Sequence, residues 1–135
     1  MQMASYQNIV PKQLAQAALT TAAVVLYTVP VVTANSAVGT TSNVTQTTRT
    51  YLKDINICNT TAGALTAFVF IVPNSGLAAP ANALMYGFAI PPNSIYRWTG
   101  SQILPESLTA TSKTTLQAYG SAVGLTLTAS GGEAS

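Results

Sequence analysis

Residues 51–73, YLKDINICNTTAGALTAFVFIVP, constrain the fold of this 135-residue chain more than any other stretch. Two apolar-rich runs, 51–58 and 64–72, flank the polar punctuation Asn59-Thr60-Thr61-Ala62-Gly63. Strand-forming residues on both sides of a glycine-containing turn predict a β-hairpin. In the first run Tyr51, Ile55 and Ile57 share one parity, broken by Lys53, and Leu52, Asp54, Asn56 and Cys58 share the other. One face is therefore mainly apolar and the other mixed. The second run, Ala67-Phe68-Val69-Phe70-Ile71-Val72, is apolar on both parities and so is expected inside a sheet, covered on both faces. Phe68, Phe70 and Val72 are read as core. Such a pair needs a second layer to close over it.

The rest of the chain supplies strands for that layer. Residues 22–29 carry Val24, Val25, Leu26, Tyr27 and Val29 and stop at Pro30, as a strand would. Residues 83–90 alternate most cleanly, with Leu84, Tyr86, Phe88 and Ile90 on one parity. Pro91-Pro92-Asn93 turns the chain into 94–99, and residues 113–119 and 123–129 make a last pair joined at Gly120. Leu14, Ala15, Ala17, Ala18 and Leu19 favour a short helix within 12–19. Seven or eight short strands predict an all-β, antiparallel β-sandwich, jelly-roll or immunoglobulin-like, with a small closed barrel as the alternative. The expected division is an extended N-terminal arm at 1–20, a sandwich at 21–130 with a projecting, Thr-rich loop at 30–48 that has room for a hairpin, and a flexible tail at 131–135.

Composition bears on what covers the surface. Only 6% of residues are charged while 48% are hydrophobic, against roughly 25% charged in an ordinary soluble domain. A freely dispersed monomer needs more charge than this. The chain is thus expected either to be covered by neighbours or to be a secreted domain with a Ser/Thr-rich surface. The five basic residues, Lys12, Arg49, Lys53, Arg97 and Lys113, are scattered, which argues against nucleic acid as a partner. No run reaches the roughly 20 apolar residues of a membrane span, and the start of the chain lacks a basic leader pattern, so no membrane partner is expected. A single cysteine, Cys58, excludes an intrachain disulfide and is expected as a buried strand thiol.

Chemistry is sparse. There is no histidine, and the acids are Asp54, Glu106 and Glu133. Asp54 with Glu106 is the only credible carboxylate pair, and nothing in the sequence is arranged to tune it. No calcium loop, phosphate loop or serine elbow is present, so the expectation is no enzyme, no metal and no cofactor. Asn43-Val44-Thr45 and Asn59-Thr60-Thr61 fit the glycosylation pattern but are read as turn residues. Tyr96-Arg97-Trp98 is the one candidate surface aromatic cluster, able to stack a sugar or base. The competing reading places Tyr96 and Trp98 on the core face and Arg97 on the other.

The run Leu26-Tyr27-Thr28-Val29-Pro30 following Gln13-Leu14, the run Lys53-Asp54-Ile55-Asn56-Ile57-Cys58-Asn59-Thr60-Thr61, and Ile90-Pro91-Pro92-Asn93-Ser94 before Trp98-Thr99-Gly100 resemble small virion structural proteins of tailed bacteriophages. The resemblance covers most of 14–128 and departs at 30–49, where similar sequences run through a short turn. It implies a β-sandwich module on a capsid or tail, a virion location after assembly in the host cytoplasm, and no active site. Head decoration, with the major capsid protein as partner and homo-oligomeric contacts, is the leading expectation. Tail, neck, baseplate or fibre attachment among tail proteins is the nearest alternative, and a carbohydrate-binding adhesin is the alternative of another class. The candidate interface residues are Tyr6, Ile9, Val10, Pro11 and Leu14 in the arm and Val38, Val44 and Arg49 in or beside the loop.

Overall fold

A computed structural model describes residues 9–31, 33–36, 43–46, 49–107, 109 and 111–134, with the backbone alone at 9, 33–36 and 43–46. Ten strands follow in order: β1 (Ile9–Ala18), β2 (Val24–Thr28), β3 (Thr33–Ser36), β4 (Asn43–Gln46), β5 (Arg49–Asn59), β6 (Leu65–Val72), β7 (Ala83–Ile90), β8 (Ser94–Leu104), β9 (Thr115–Gly120) and β10 (Leu125–Ala134). The one helical element among the described residues is a 3-10 turn at Pro80–Asn82. Eight strands form two antiparallel four-stranded sheets, ordered β1-β10-β5-β8 and β2-β9-β6-β7. The chain is an all-β sandwich, and its winding is that of a jelly roll. Strands β3 and β4 form a separate hairpin, Thr33 opposite Gln46 and Ser36 opposite Asn43, within the region expected to project.

The predicted hairpin of 51–73 does not form. β5 belongs to the first sheet and β6 to the second, so Asn59–Gly63 is a corner between layers rather than a β-turn within one. The same holds for β9 and β10, which were expected to pair. Only β6 and β7 are consecutive strands of the sandwich that pair with each other. Sequence neighbours in a jelly roll mostly cross the core, and a polar turn between apolar runs looks alike in either arrangement.

Asn59 shows what the corner requires. Its side chain is 1% exposed. Nδ2 donates to the carbonyls of Gly63 (2.8 Å) and Ile90 (3.0 Å), while Oδ1 accepts from the Thr61 N–H (2.9 Å) and hydroxyl (2.7 Å). With both ends of its amide engaged and no exposed surface, Asn59 is a structural turn residue. Asn59→Ala removes the amide from the buried Ile90 carbonyl and the half-buried Thr61 N–H, and we expect it to cost about 2–4 kcal/mol. Urea unfolding checks this; a loss under about 1 kcal/mol would mean that water replaces the amide.

The expected arm is largely sheet. Residues 9–18 form β1, paired along β10 from Ile9–Ala134 to Ala18–Thr126. The predicted helix at 12–19 is therefore absent: Leu14, Ala15 and Leu19 reach the core only because an extended strand, bulged after Gln13, delivers them there. Tertiary pairing overrides weak alanine propensity in so short a run. The expected tail is likewise the end of β10, with residues 131–134 held between β1 and β5.

The inter-sheet core contains Leu52, Ile55 and Ile57 from β5, Ala67 and Val69 from β6, Leu116 and Ala118 from β9, and Leu125 and Leu127 from β10, all fully buried. Each large aliphatic side chain buried there contributes roughly 1.5–3 kcal/mol. Bulges punctuate the sheets. One on β5 at Lys53 switches the inward parity from Thr50 and Leu52 to Ile55 and Ile57, which explains the broken alternation seen in the sequence.

Candidate functional site

Strand parity sorts the candidates. On β8, Tyr96 lies opposite Ile57 and Trp98 opposite Ile55, both packing against the core, while Arg97 lies opposite Asn56 on the outward face. The sheet thus divides the Tyr96-Arg97-Trp98 cluster, which forms no joint platform. Tyr96 meets Phe88 of β7 with ring centroids 3.9 Å apart and closes that side of the sandwich. The indole of Trp98 lies over Gly100, where a Cβ would come within 2.9 Å of it. Arg97 Nε donates to Asp54 Oδ2 at 2.8 Å. Arg49 pairs with Glu106 at 3.5 Å, so Asp54 and Glu106 each face their own arginine. Among the described residues no three of His, Cys, Asp and Glu come together.

The interface candidates separate too. Val10 and Pro11 are exposed on β1, whereas Leu14 is buried in the core and cannot serve as a surface contact. Ile9 occupies the start of β1 opposite Ala134, and Val44 stands opposite Asn35 in the small hairpin. Tyr6 and Val38 lie outside the described residues. Cys58, expected to be buried, is only half-buried and shares the outward parity of Asp54 and Asn56. Pro11, Tyr51, Lys53, Ser101, Gly131 and Gly132 line a shallow trough of about 400 Å³ on this outer face. Lys53 donates to the Ser101 hydroxyl there at 3.0 Å.

A polar cluster ties the chain ends together. Glu133 on β10 accepts from the Tyr27 hydroxyl and, at 3.1 Å, from Lys12 of β1. Tyr27 of β2 also meets the buried Thr50 hydroxyl at 3.0 Å, which bridges the two sheets. Burial pushes the Glu133 carboxyl up, but the hydrogen bonds from Tyr27 and Lys12 and the Lys12 charge outweigh it and hold the group below the usual carboxylate range. Burial first, then the Glu133 hydrogen bond, pushes the Tyr27 phenol well above its ordinary value. A depressed carboxylate stabilises the fold above its unfolded pKa, and that contribution is lost as pH falls through the folded value. Stability measured between roughly pH 5 and pH 3 is therefore expected to fall less steeply for Glu133→Gln than for the parent. Parallel curves would show that Glu133 is not coupled to folding.

The strongest asymmetry is one of charge. Six of the eight charged residues, Lys12, Arg49, Lys53, Asp54, Arg97 and Glu133, lie in strands of the first sheet. Glu106 and Lys113 lie between β8 and β9. The four strands of the second sheet carry none.

Its outer face instead carries aromatic rings. Phe68 stacks on Tyr119 with centroids 4.5 Å apart and planes 9° from parallel, and meets Tyr86 edge-on at 5.1 Å. Phe70 stacks on Tyr119 at 5.6 Å and is itself only 1% exposed. Phe68, Phe70 and Val72, expected as core, share the outward face of β6, where Phe70 and Val72 are buried and Phe68 is half-buried, while Ala67, Val69 and Ile71 point into the inter-sheet core. Tyr86 and Val25 remain 58% and 55% exposed on this face. Aromatic enrichment with charge depletion is the composition of an interface core. The sequence signal was available as a run apolar on both parities, but the outer partners Tyr86 and Tyr119 come from β7 and β9, 18 and 51 residues from Phe68.

Among solved structures, that of infectious bursal disease virus, Gx strain, aligns over 96% of this chain at 12% identity and a TM-score of 0.35. The chain spans 28% of that protein's length. No family model matches the sequence, and no curated protein matches it.

Proposed function

We propose that this protein is a non-enzymatic structural component of a phage virion, a capsid-decoration or head-associated module that acts through contacts with neighbouring subunits. The observation that carries the reading is the charge-free second sheet with its outward rings Phe68, Tyr86 and Tyr119. The low overall charge and the resemblance of the strand and turn motifs to small virion proteins support the same reading. In this view the two sheets form a rigid block, and desolvation of the aromatic face against a capsid neighbour supplies the binding energy. Copy number, set by symmetry, separates a head position from tail, neck or baseplate.

Tyr86→Asp tests the contact. Because Tyr86 is largely exposed, the variant is expected to fold, yet to be depleted at least about tenfold from purified particles, the effect of losing roughly 1.4 kcal/mol. Normal incorporation would remove the second sheet from the assembly contact. A second reading, carbohydrate binding, is favoured by the same rings, since jelly rolls also serve as lectins. A glycan array with Tyr86→Ala as control decides it, and a blank array ends that reading.

A further inference from the structure

We propose that β8 is a self-pairing edge through which two copies of this chain join the first sheet into one continuous sheet of eight strands. The inference rests on the subunit-contact part of the proposed function and not on the virion. Four strands form the edges of the sandwich: β1 and β8 in the first sheet, β2 and β7 in the second. An unpaired edge is a template for another chain, and proteins usually guard it with proline, charge, bulges or shortness. β1 carries Pro11 and Lys12 and a bulge. β2 has five residues and a bulge. β7 is interrupted by two register shifts and by Gly87 at φ +66.

β8 runs for 11 residues without proline. Its one charge, Arg97, is drawn sideways to Asp54 on β5 rather than standing guard over the edge. Its one irregularity is an extra residue opposite Lys53, at Gly100-Ser101. Among the described residues, its backbone pairs with β5 alone.

The sequence of β8 also fits its own reverse. Antiparallel pairing of two identical strands over their whole length, Ser94–Leu104, places the two-fold axis at Thr99. In that register Ile95 stands opposite Ile103 of the second copy, twice over. These are the exposed aliphatic residues of the strand, at 67% and 53%. They share the outward face, being opposite Cys58 and Tyr51 of β5. Arg97 falls opposite Ser101, so no like charges meet, and Trp98 falls opposite Gly100, the smallest partner available. Moving the axis to residue 97 would set Arg97 against itself, and an axis at 98 or 100 would leave the isoleucines mismatched. The one register that uses every residue is therefore also the one that pairs apolar with apolar and separates charge. The occupant of this edge is a second copy of the chain, added by β-augmentation.

The test uses the purified chain. Directly opposed residues of antiparallel strands have Cα atoms about 4.5–5.5 Å apart, within disulfide reach. With Cys58→Ser as background, Thr99→Cys is expected to oxidise to a covalent dimer. Ile95→Cys is not, because two copies of residue 95 stand about 27 Å apart in this register. Thr99→Lys is expected to keep the parent's circular dichroism and melting point while raising the dimer dissociation constant in sedimentation about fivefold. The idea fails if Thr99→Cys cross-links no better than Ile95→Cys, if Thr99→Lys leaves the dissociation constant unchanged, or if the parent sediments as a monomer at every concentration reached. A parent chain that is monomeric yet incorporates normally into particles sinks this inference alone. An intact dimer absent from particles sinks the virion reading alone.

Discussion

Gly131→Ala is expected to cost this protein about 3–5 kcal/mol, which would rank among the largest single-residue effects in a domain of this size. A Cβ at Gly131 would lie 1.8 Å from the Tyr51 carbonyl oxygen and 2.9 Å from its carbon, both backbone atoms without a rotamer to yield. The site is the point where β10 crosses the β5 bulge, between the pairs Ser130–Asp54 and Gly131–Leu52. Relieving the clash means separating β10 from β5 in the middle of the first sheet. Gly63→Ala is the matched control: nothing lies within 4 Å of the added carbon there, and no change beyond about 0.5 kcal/mol is expected. Equilibrium unfolding in guanidinium measures both. Equal, small effects would show that the close approach of the two backbones does not persist in solution.

Phe70→Ala carries the second largest expectation, a loss of about 3–5 kcal/mol from a ring that does not belong to the inter-sheet core. Phe70 is outward-facing yet 1% exposed, held between the Tyr119 and Tyr86 rings. Next to it Val72 and Thr115 pair across β6 and β9, and both are buried. This outer layer is a second, smaller core. Truncating Phe70 removes its largest fully buried side chain and loosens the footing of the exposed rings. Phe68→Ala, from a ring only half-buried, is expected to cost about half as much by area. If Phe70→Ala unfolds with a change below about 1 kcal/mol, the outer layer is not a packed unit, and the rigid contact face proposed for assembly loses its support.

Both expectations concern features that local pattern could suggest but not assign. The alternation in 83–90 and the doubly apolar run 67–72 predict strands, and strands are there as β7 and β6. Which side of β6 would face the core was not readable, because a run apolar on both parities is symmetric to any argument from period. Asn59-Thr60-Thr61 and Gly120 mark reversals of the chain correctly, but a reversal within a sheet and a corner between sheets need the same residues. The alanine-rich start of the chain misled for a different reason. Propensity differences of a few tenths of a kcal/mol per residue yield to the nine residue pairs of β1 along β10, a partner more than a hundred positions away.

The candidate site divides the same way. Tyr96 and Trp98 could be named in advance as alternatives, core or surface, and alternation with Arg97 already held the answer once strand direction was known. The Phe68–Tyr86–Tyr119 platform could not be named, since its rings are gathered from three strands by topology.

From sequence alone, then, this protein is an all-β sandwich with few charges, no histidine and strands bounded where proline, asparagine and glycine stand, because backbone preference and solvation are local properties of each residue. Only the tertiary structure decided that most consecutive strands cross between sheets, that Lys12, Tyr27 and Glu133 tie β1 and β10 of the first sheet to β2 of the second, and that the second sheet carries no charge. Those outcomes depend on which distant surfaces bury each other best, a sum over contacts that no single stretch of residues contains.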